Sequence, residues 1–332
     1  MRYVIAKGSF LFLFFWSFTT VAQSALTVKK SLILMGCAFE LSASADSEEI
    51  AWDAINQGIE EITRIEKLIS SWDAKSQTSE VNRMAGIKPV KVDKELYDLI
   101  YRAKKVSSLT DGAFDISFAS MDKIWRFNQT EQLLQDSATV STARAKIDYK
   151  QIILSPKDTS VYLAEGMKIG FGAIGKGYAA NKAKQIMSTI AGVKGGVVNA
   201  SGDLLSWGES QSEAGRNISI ANPKNKNQPI AWLKIDNMAV VTSGDYEKYF
   251  MSGGKRYAHI INPKTGYPTT GIASVTIICP DAELADALAT SVFVLGIKKG
   301  IELINKITRV EGIIINDEGE LHQSKNLKLN YY

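Results

Sequence analysis

The 332 residues are 45% hydrophobic and 22% charged, the balance of a folded globular chain and not of a disordered or fibrous one. The formal charge of +4 falls to +2 once Arg2 and Lys7 are set aside with the first 24 residues, which excludes a polycation of the kind that binds nucleic acid. Two cysteines and two histidines are too few for the usual zinc site, so a metal held here would be bound through oxygen, and Cys37 and Cys279 are expected to stay unlinked.

In chain order, a basic start is followed by an apolar run from Phe10 to Phe18, and Ala22 and Ser24 then suit cleavage after Ser24. This is the three-part layout of a secretory signal. The uninterrupted apolar run is well short of the roughly 20 residues that span a bilayer. It predicts an exported chain, without a lipid anchor because no cysteine directly follows the run. Leu34-Met35-Gly36-Cys37 resembles a lipidation site, but Lys29 and Lys30 separate it from the apolar segment.

From Asp46, read as a cap with Glu49 three residues on, the spacing of Ile55, Ile59, Ile62, Ile65 and Ile69 predicts an amphipathic helix. A second, from about Asp93, carries Leu96, Leu99, Ile100, Ala103 and Val106 on one side and stops before Thr110-Asp111-Gly112. Strand-like runs fall at 31–35, 151–154, 161–163, 167–171, 196–199, 218–221, 238–242, 274–278 and 312–315, with further helices at about 177–190, 281–295 and 298–307. The stretch from Ser206 to Gln228 reads as a polar, loop-like excursion. Strands outnumber helices and do not alternate with them, which favours an α+β fold over a doubly wound parallel sheet. No repeat or linker marks a domain boundary.

The segment from Gly170 to Gly177 fits G-x-G-x-x-G literally, but no acid stands near Gly195, where a dinucleotide fold would place one. It misses a Walker A loop because Gly177 replaces the hydroxyl residue that reaches magnesium. What survives is physical: glycines let a ligand approach the backbone, a helix N-terminus favours an anionic phosphate, and Lys176 adds a full charge. Asp286 and Thr290, four apart on a helix, project from one face one turn apart. With a backbone carbonyl they make a partial shell for magnesium, although an Asp there could equally cap a neighbouring element. His259 beside a strand end can take a proton near neutral pH or can be a packed structural histidine. The loop Thr110–Asp115 and the indole of Trp72 suit a flat ring system or, as readily, an ordinary turn and a core residue.

Taken in order, Met35-Gly36-Cys37, Ser71-Trp72, Ser79-Glu80-Val81-Asn82, Thr110–Asp115, Gly172–Tyr178, Asn199–Asp203, Thr242–Tyr246, His259–Gly266 and Asp286–Thr290 resemble the ApbE family of FAD:protein FMN transferases. The resemblance implies a single body from residue 25 to 332, of mixed, largely antiparallel sheet with flanking helices, after a signal peptide over residues 1–24. It puts Met35, Trp72, Ala113, Phe114, Asp115, Lys176 and Ile260 around FAD. The Ala173 carbonyl, Asp286 and Thr290 become ligands of Mg2+, and His259 becomes the base, with Asp245, Ser243 and Lys176 as further catalytic residues. The expected partners are FAD and an acceptor flavoprotein, a subunit of a membrane redox complex or an exported reductase, met in the periplasm. Two residues depart from the family, Cys37 standing for its usual threonine and Gly170 for an Asp often found six residues before the loop lysine, and a third departure is that many relatives are lipoproteins whereas this chain reads as a freely soluble periplasmic protein. FAD hydrolysis to FMN and AMP, and flavin storage without chemistry, remain as alternative readings.

Overall fold

The computed structural model describes residues 25–127, 131–208, 216–223, 225–246 and 248–331. The expected signal segment, and part of the stretch between Ser206 and Gln228, lie outside the described residues. Among the described residues no helix is long and apolar enough to cross a membrane.

The first elements are a hairpin, β1 (Leu26–Leu34) and β2 (Cys37–Ala45), in which Leu34 faces Cys37 across a two-residue turn. Met35 and Gly36 both have positive φ, 50° and 73°, as the tight turn that matches strand twist demands. Phe39, Leu41, Ala43 and Ala45 of β2 point to one buried face. Helix α1 (Glu48–Ile69) follows, its Ile55, Ile62, Ile65 and Ile69 all buried. Its cap is Ser47, which accepts the Ile50 N–H at 3.2 Å; Asp46, the expected cap, pairs instead with Lys194.

Next come α2 (Gln77–Arg83), β3 (Val90–Lys91), α3 (Lys94–Leu109), α4 (Ser137–Arg144), β4 (Ile153–Ser155) and β5 (Ser160–Tyr162). Then follow α5 (Gly175–Met187), β6 (Val193–Ala200), β7 (Asp203–Gly208), β8 (Arg216–Asn222), β9 (Asn225–Ile235), β10 (Ala239–Gly244), β11 (Tyr249–Ser252) and β12 (Lys255–Ala258). The chain closes with β13 (Ile272–Cys279), α6 (Ala282–Leu295), α7 (Ile297–Ile304), β14 (Glu311–Asn316), β15 (Leu321–Gln323) and β16 (Asn330–Tyr331).

Eight strands form one sheet in the order β1-β2-β6-β7-β10-β13-β14-β15, and the named strands pair antiparallel throughout. The fold is α+β, as the pattern of elements predicts. Helices α1, α5 and α6 cover one face, and the main core lies between them and the sheet. The small sheet β16-β9-β8 covers part of the other face through Ile220, Leu233 and Ile235, which meet Val240, Ile278 and Ile313. Alternate residues of β13 therefore feed two cores, Val275 and Ile277 one way and Ile278 the other, and the strand is buried along its whole length.

Two expectations are corrected. Among the described residues, the excursion from Ser206 to Gln228 is largely sheet: β7 runs to Gly208, and β8 pairs with β9. The alternating Met167–Phe171 segment is not a strand. Its backbone is satisfied by side chains and a loop: Ile169 N–H donates to Asn82 Oδ1 at 2.8 Å, Asn82 Nδ2 donates to Ile169 O at 3.0 Å, and Gly170 N–H donates to Ile116 O at 3.0 Å.

Candidate active site

The fold gathers its separated motifs around a cleft of two lobes. The first, about 450 Å³, is lined by Trp72, Ala113, Phe114, Asp115, Ala173, Lys176, Ser243, His259, Ile260, Asp286 and Thr290, among others. The second, about 530 Å³, is lined by Met35, Cys37, Glu66, Ile69 and Ser201. Ser71, Trp72, Phe171, Gly172 and Lys176 line both and form the junction. Of the thirteen residues predicted, all but Asp245 line one lobe or the other.

Lys176 lies in the first turn of α5, which starts at Gly175, two residues before the expected helix start. Its Nζ is 2.5 Å from Asp203 Oδ2, a buried carboxylate at the start of β7. The N-terminus of α5 has Ile174 at its cap position and no side-chain cap of its own. Asp286 supplies one from α6: only 4% exposed, it accepts the Gly177 N–H at 3.1 Å. The helices meet closely enough that a Cβ on Gly177 would stand 2.0 Å from the Ala282 carbonyl oxygen, so that position requires glycine for packing. The capping reading of Asp286 and its place on the cavity wall therefore both hold.

His259, which lines the same lobe, follows β12. Its N–H donates to the Lys248 carbonyl at 2.9 Å, and its Nδ1 lies 3.2 Å from the same oxygen. A carbonyl only accepts, so Nδ1 carries the proton and Nε2 is the basic nitrogen. Phe127 packs edge-on to the imidazole. Ser243 reaches the cavity from β10, and Thr242 beside it shares a 2.8 Å hydrogen bond with Thr276.

Asp115 is committed internally. Its carboxylate accepts from Ser117 N and Oγ at 2.8 and 2.7 Å and from Tyr149 N at 2.9 Å, holding the turn that presents Ala113 and Phe114. Burial pushes its carboxyl up, against the pull of those hydrogen bonds. Trp72, 84% exposed, stands at the junction with the Lys123 ammonium 4.8 Å from its ring centroid. Asp245 is buried at 3% and paired with Arg256 at 3.1 Å, behind the wall.

The two departing residues have local accounts. A Cβ at Gly170 would meet Ala119 Cβ at 3.1 Å, a tight approach that a larger side chain there could take only if Ala119 gave way by a few tenths of an ångström. Cys37 lines the second lobe as a half-buried free thiol, pushed up by desolvation. Sequence reasoning missed Asp203, Arg256 and the bracing role of Asn82. Asp203 and Asn82 did lie within quoted motifs, whereas Arg256 carried no signal.

A cleft of two lobes that meet at a lysine and a helix N-terminus has the shape and charge to suit a two-headed ligand with an anionic middle. The match to known sequences narrows this: residues 35–314 fit the ApbE family, and the chain belongs to it. It is 30% identical over 304 residues to an FAD:protein FMN transferase of Klebsiella pneumoniae, covering 91% of this chain and 93% of that one. A Treponema pallidum protein of the same name is 32% identical over 278 residues, with 79% and 76% covered. The crystal structure of the ApbE protein of Thermotoga maritima superposes with a TM-score of 0.80 at 30% identity, covering 90% of this chain and 97% of that one.

Proposed function

We propose that this chain is an FAD:protein FMN transferase that moves FMN from FAD to a Thr or Ser hydroxyl of an acceptor flavoprotein, with AMP as the other product. The observation that carries the reading is the two-lobed cleft, with Lys176 at its junction and His259 and Ser243 on one wall, in a chain of the ApbE family. The acceptor oxygen forms a bond to the FMN-side phosphorus, and the bond from that phosphorus to the AMP oxygen breaks. AMP departs with the bonding electrons, and the hydroxyl proton passes to His259 Nε2.

Lys176 and the α5 N-terminus attract the phosphates, and Asp203 fixes the lysine until they arrive. The rings of Trp72 and Phe114 give flat apolar surfaces on the cavity wall. The Ala173 carbonyl, Asp286 and Thr290 line one lobe and offer a carbonyl, a carboxylate and a hydroxyl. That oxygen set fits Mg2+, which takes few protein ligands beside phosphate oxygens and water. When bound, the ion would offset charge on the phosphates. The layout of the first 24 residues supports export to the periplasm, where acceptors would be subunits of membrane redox complexes or exported reductases.

Incubating purified protein with FAD, Mg2+ and a candidate acceptor tests the reading. A covalently fluorescent acceptor band, a mass gain equal to FMN and stoichiometric AMP are expected. AMP release at the same rate without acceptor would point to hydrolysis, and FAD bound with no product to storage.

A further inference from the structure

The geometry behind His259 assigns a task to two residues outside the cavity. Strand β10 delivers Ser243 and ends at Gly244. Asp245 comes next, anchored by its N–H to the Ala273 carbonyl at 2.9 Å. Arg256 lies on β12, and its Nη1 stands 3.2 and 3.1 Å from the two Asp245 carboxylate oxygens. Its guanidinium also covers the Tyr249 ring at 4.5 Å, so it grips the first residue of β11 as well. In the β11–β12 hairpin Tyr249 faces Ala258, and the ladder runs on one step to the bond from His259 N–H to Lys248 O. The carbonyl that orients the imidazole is therefore carried by a hairpin that the ion pair fastens to the end of β10.

We infer that Asp245 and Arg256 form a positioning pair, which locks this hairpin so that the Lys248 carbonyl holds His259 in one orientation and one tautomer. Neither residue lines the cavity, so they act on the reaction through His259. Burying a carboxylate costs solvation that a single cation only offsets, which makes the pair a poor source of stability but a good source of directed geometry. Asp317 is the other charged group acting on Asp245; Asp115, Lys176 and Asp286 share the cavity wall with His259. The inference rests on His259 being the base of the transfer reaction.

The test uses the full chain with Arg256→Gln, Arg256→Lys and Asp245→Asn, each also combined with His259→Ala. Arg256→Gln is expected to lower kcat by about 10- to 100-fold, the loss that a small misplacement of a catalytic group brings. KM for FAD should stay within about twofold, because ground-state binding is untouched. Arg256→Lys should recover part of kcat. In the His259→Ala background the same substitutions should cost little more, since a residue acting through another has nothing left to act on. An unchanged kcat, a raised KM with kcat intact, or losses that multiply with His259→Ala would each overturn the inference. A variant that does not fold is replaced by Asp245→Asn, which keeps the side-chain shape. With only two histidines in the chain, imidazole 15N shifts give an arm that needs no turnover. His259 should show a single Nδ1–H form in the wild type and a mixture in Arg256→Gln, and an identical spectrum in both would sink the inference. Absence of transfer by the wild type, with the tautomer shift present, would fault the proposed function and leave the positioning pair standing.

Discussion

At Asp286 one carboxylate meets two demands. It caps α5 through Gly177, a helix start whose own cap position, Ile174, has no side-chain acceptor, and it is the only carboxylate among the proposed magnesium ligands. The two tasks separate by substitution. Asp286→Ala should abolish Mg2+-dependent AMP release and also cost about 1 kcal/mol of stability, the usual price of a lost cap. Asp286→Asn keeps an oxygen for the Gly177 N–H, so it should restore most of the stability while turnover stays lost. Thermal unfolding and AMP release, measured on both variants, check the pair of outcomes. Equal activity of Asp286→Ala and wild type would remove Asp286 from the metal site. The residue types at the site were legible in the sequence: an acid and a hydroxyl one turn apart, a lysine at a helix start, a histidine at a strand end. Their partners were not, because Asp203, Arg256 and the Lys248 carbonyl reach them through tertiary contacts that no local spacing records.

Between elements, Glu95 on α3 ties three helices together. It accepts from Arg64 of α1 at 2.7 and 3.0 Å and from the Tyr178 hydroxyl of α5 at 2.6 Å, and it pairs with Lys182 of α5 at 3.2 Å. Burial pushes its carboxyl up, but the hydrogen bonds from Arg64, Tyr178 and Lys182 outweigh it and bring the pKa down to about 2 from an ordinary 4.5. A depressed carboxylate gives stability that is complete above its unfolded value and is lost as pH falls through the folded one. Melting temperature should therefore drop between pH 4.5 and about 2, and Glu95→Gln should flatten that limb while lowering the melting temperature at neutral pH. An unchanged acid limb in the variant would rule the cluster out as its source. Helices α1 and α3 were legible because large apolar residues recur at helical spacing. Strand β2 was not, since its alternation is carried by Ala and Ser around one Phe and one Leu. Met167–Phe171 misled in the other direction: the alternation is real and Met167, Ile169 and Phe171 are buried, but Asn82 takes the hydrogen bonds a neighbouring strand would have made.

For the whole molecule, the sheet begins at Leu26, so cleavage after Ser24 would leave Ala25 as the first residue and remove nothing from β1. Intact mass of the protein recovered from the periplasm should correspond to a chain starting at Ala25, and a mass retaining Met1 would refute the proposed export signal. Inside the folded body, Cys37 and Cys279 are both free thiols, while the cleft walls come from stretches as far apart as Met35 and Thr290. A ligand reaching into both lobes is bivalent: each half holds the other at high effective concentration, and the pair binds far more tightly than either alone. The proposed reaction cuts that ligand at its middle, where the lobes meet. Turnover would thus convert one bivalent guest into two monovalent ones, and the two-lobed shape proposed to grip FAD would be the same feature that lets AMP and the newly flavinylated acceptor go.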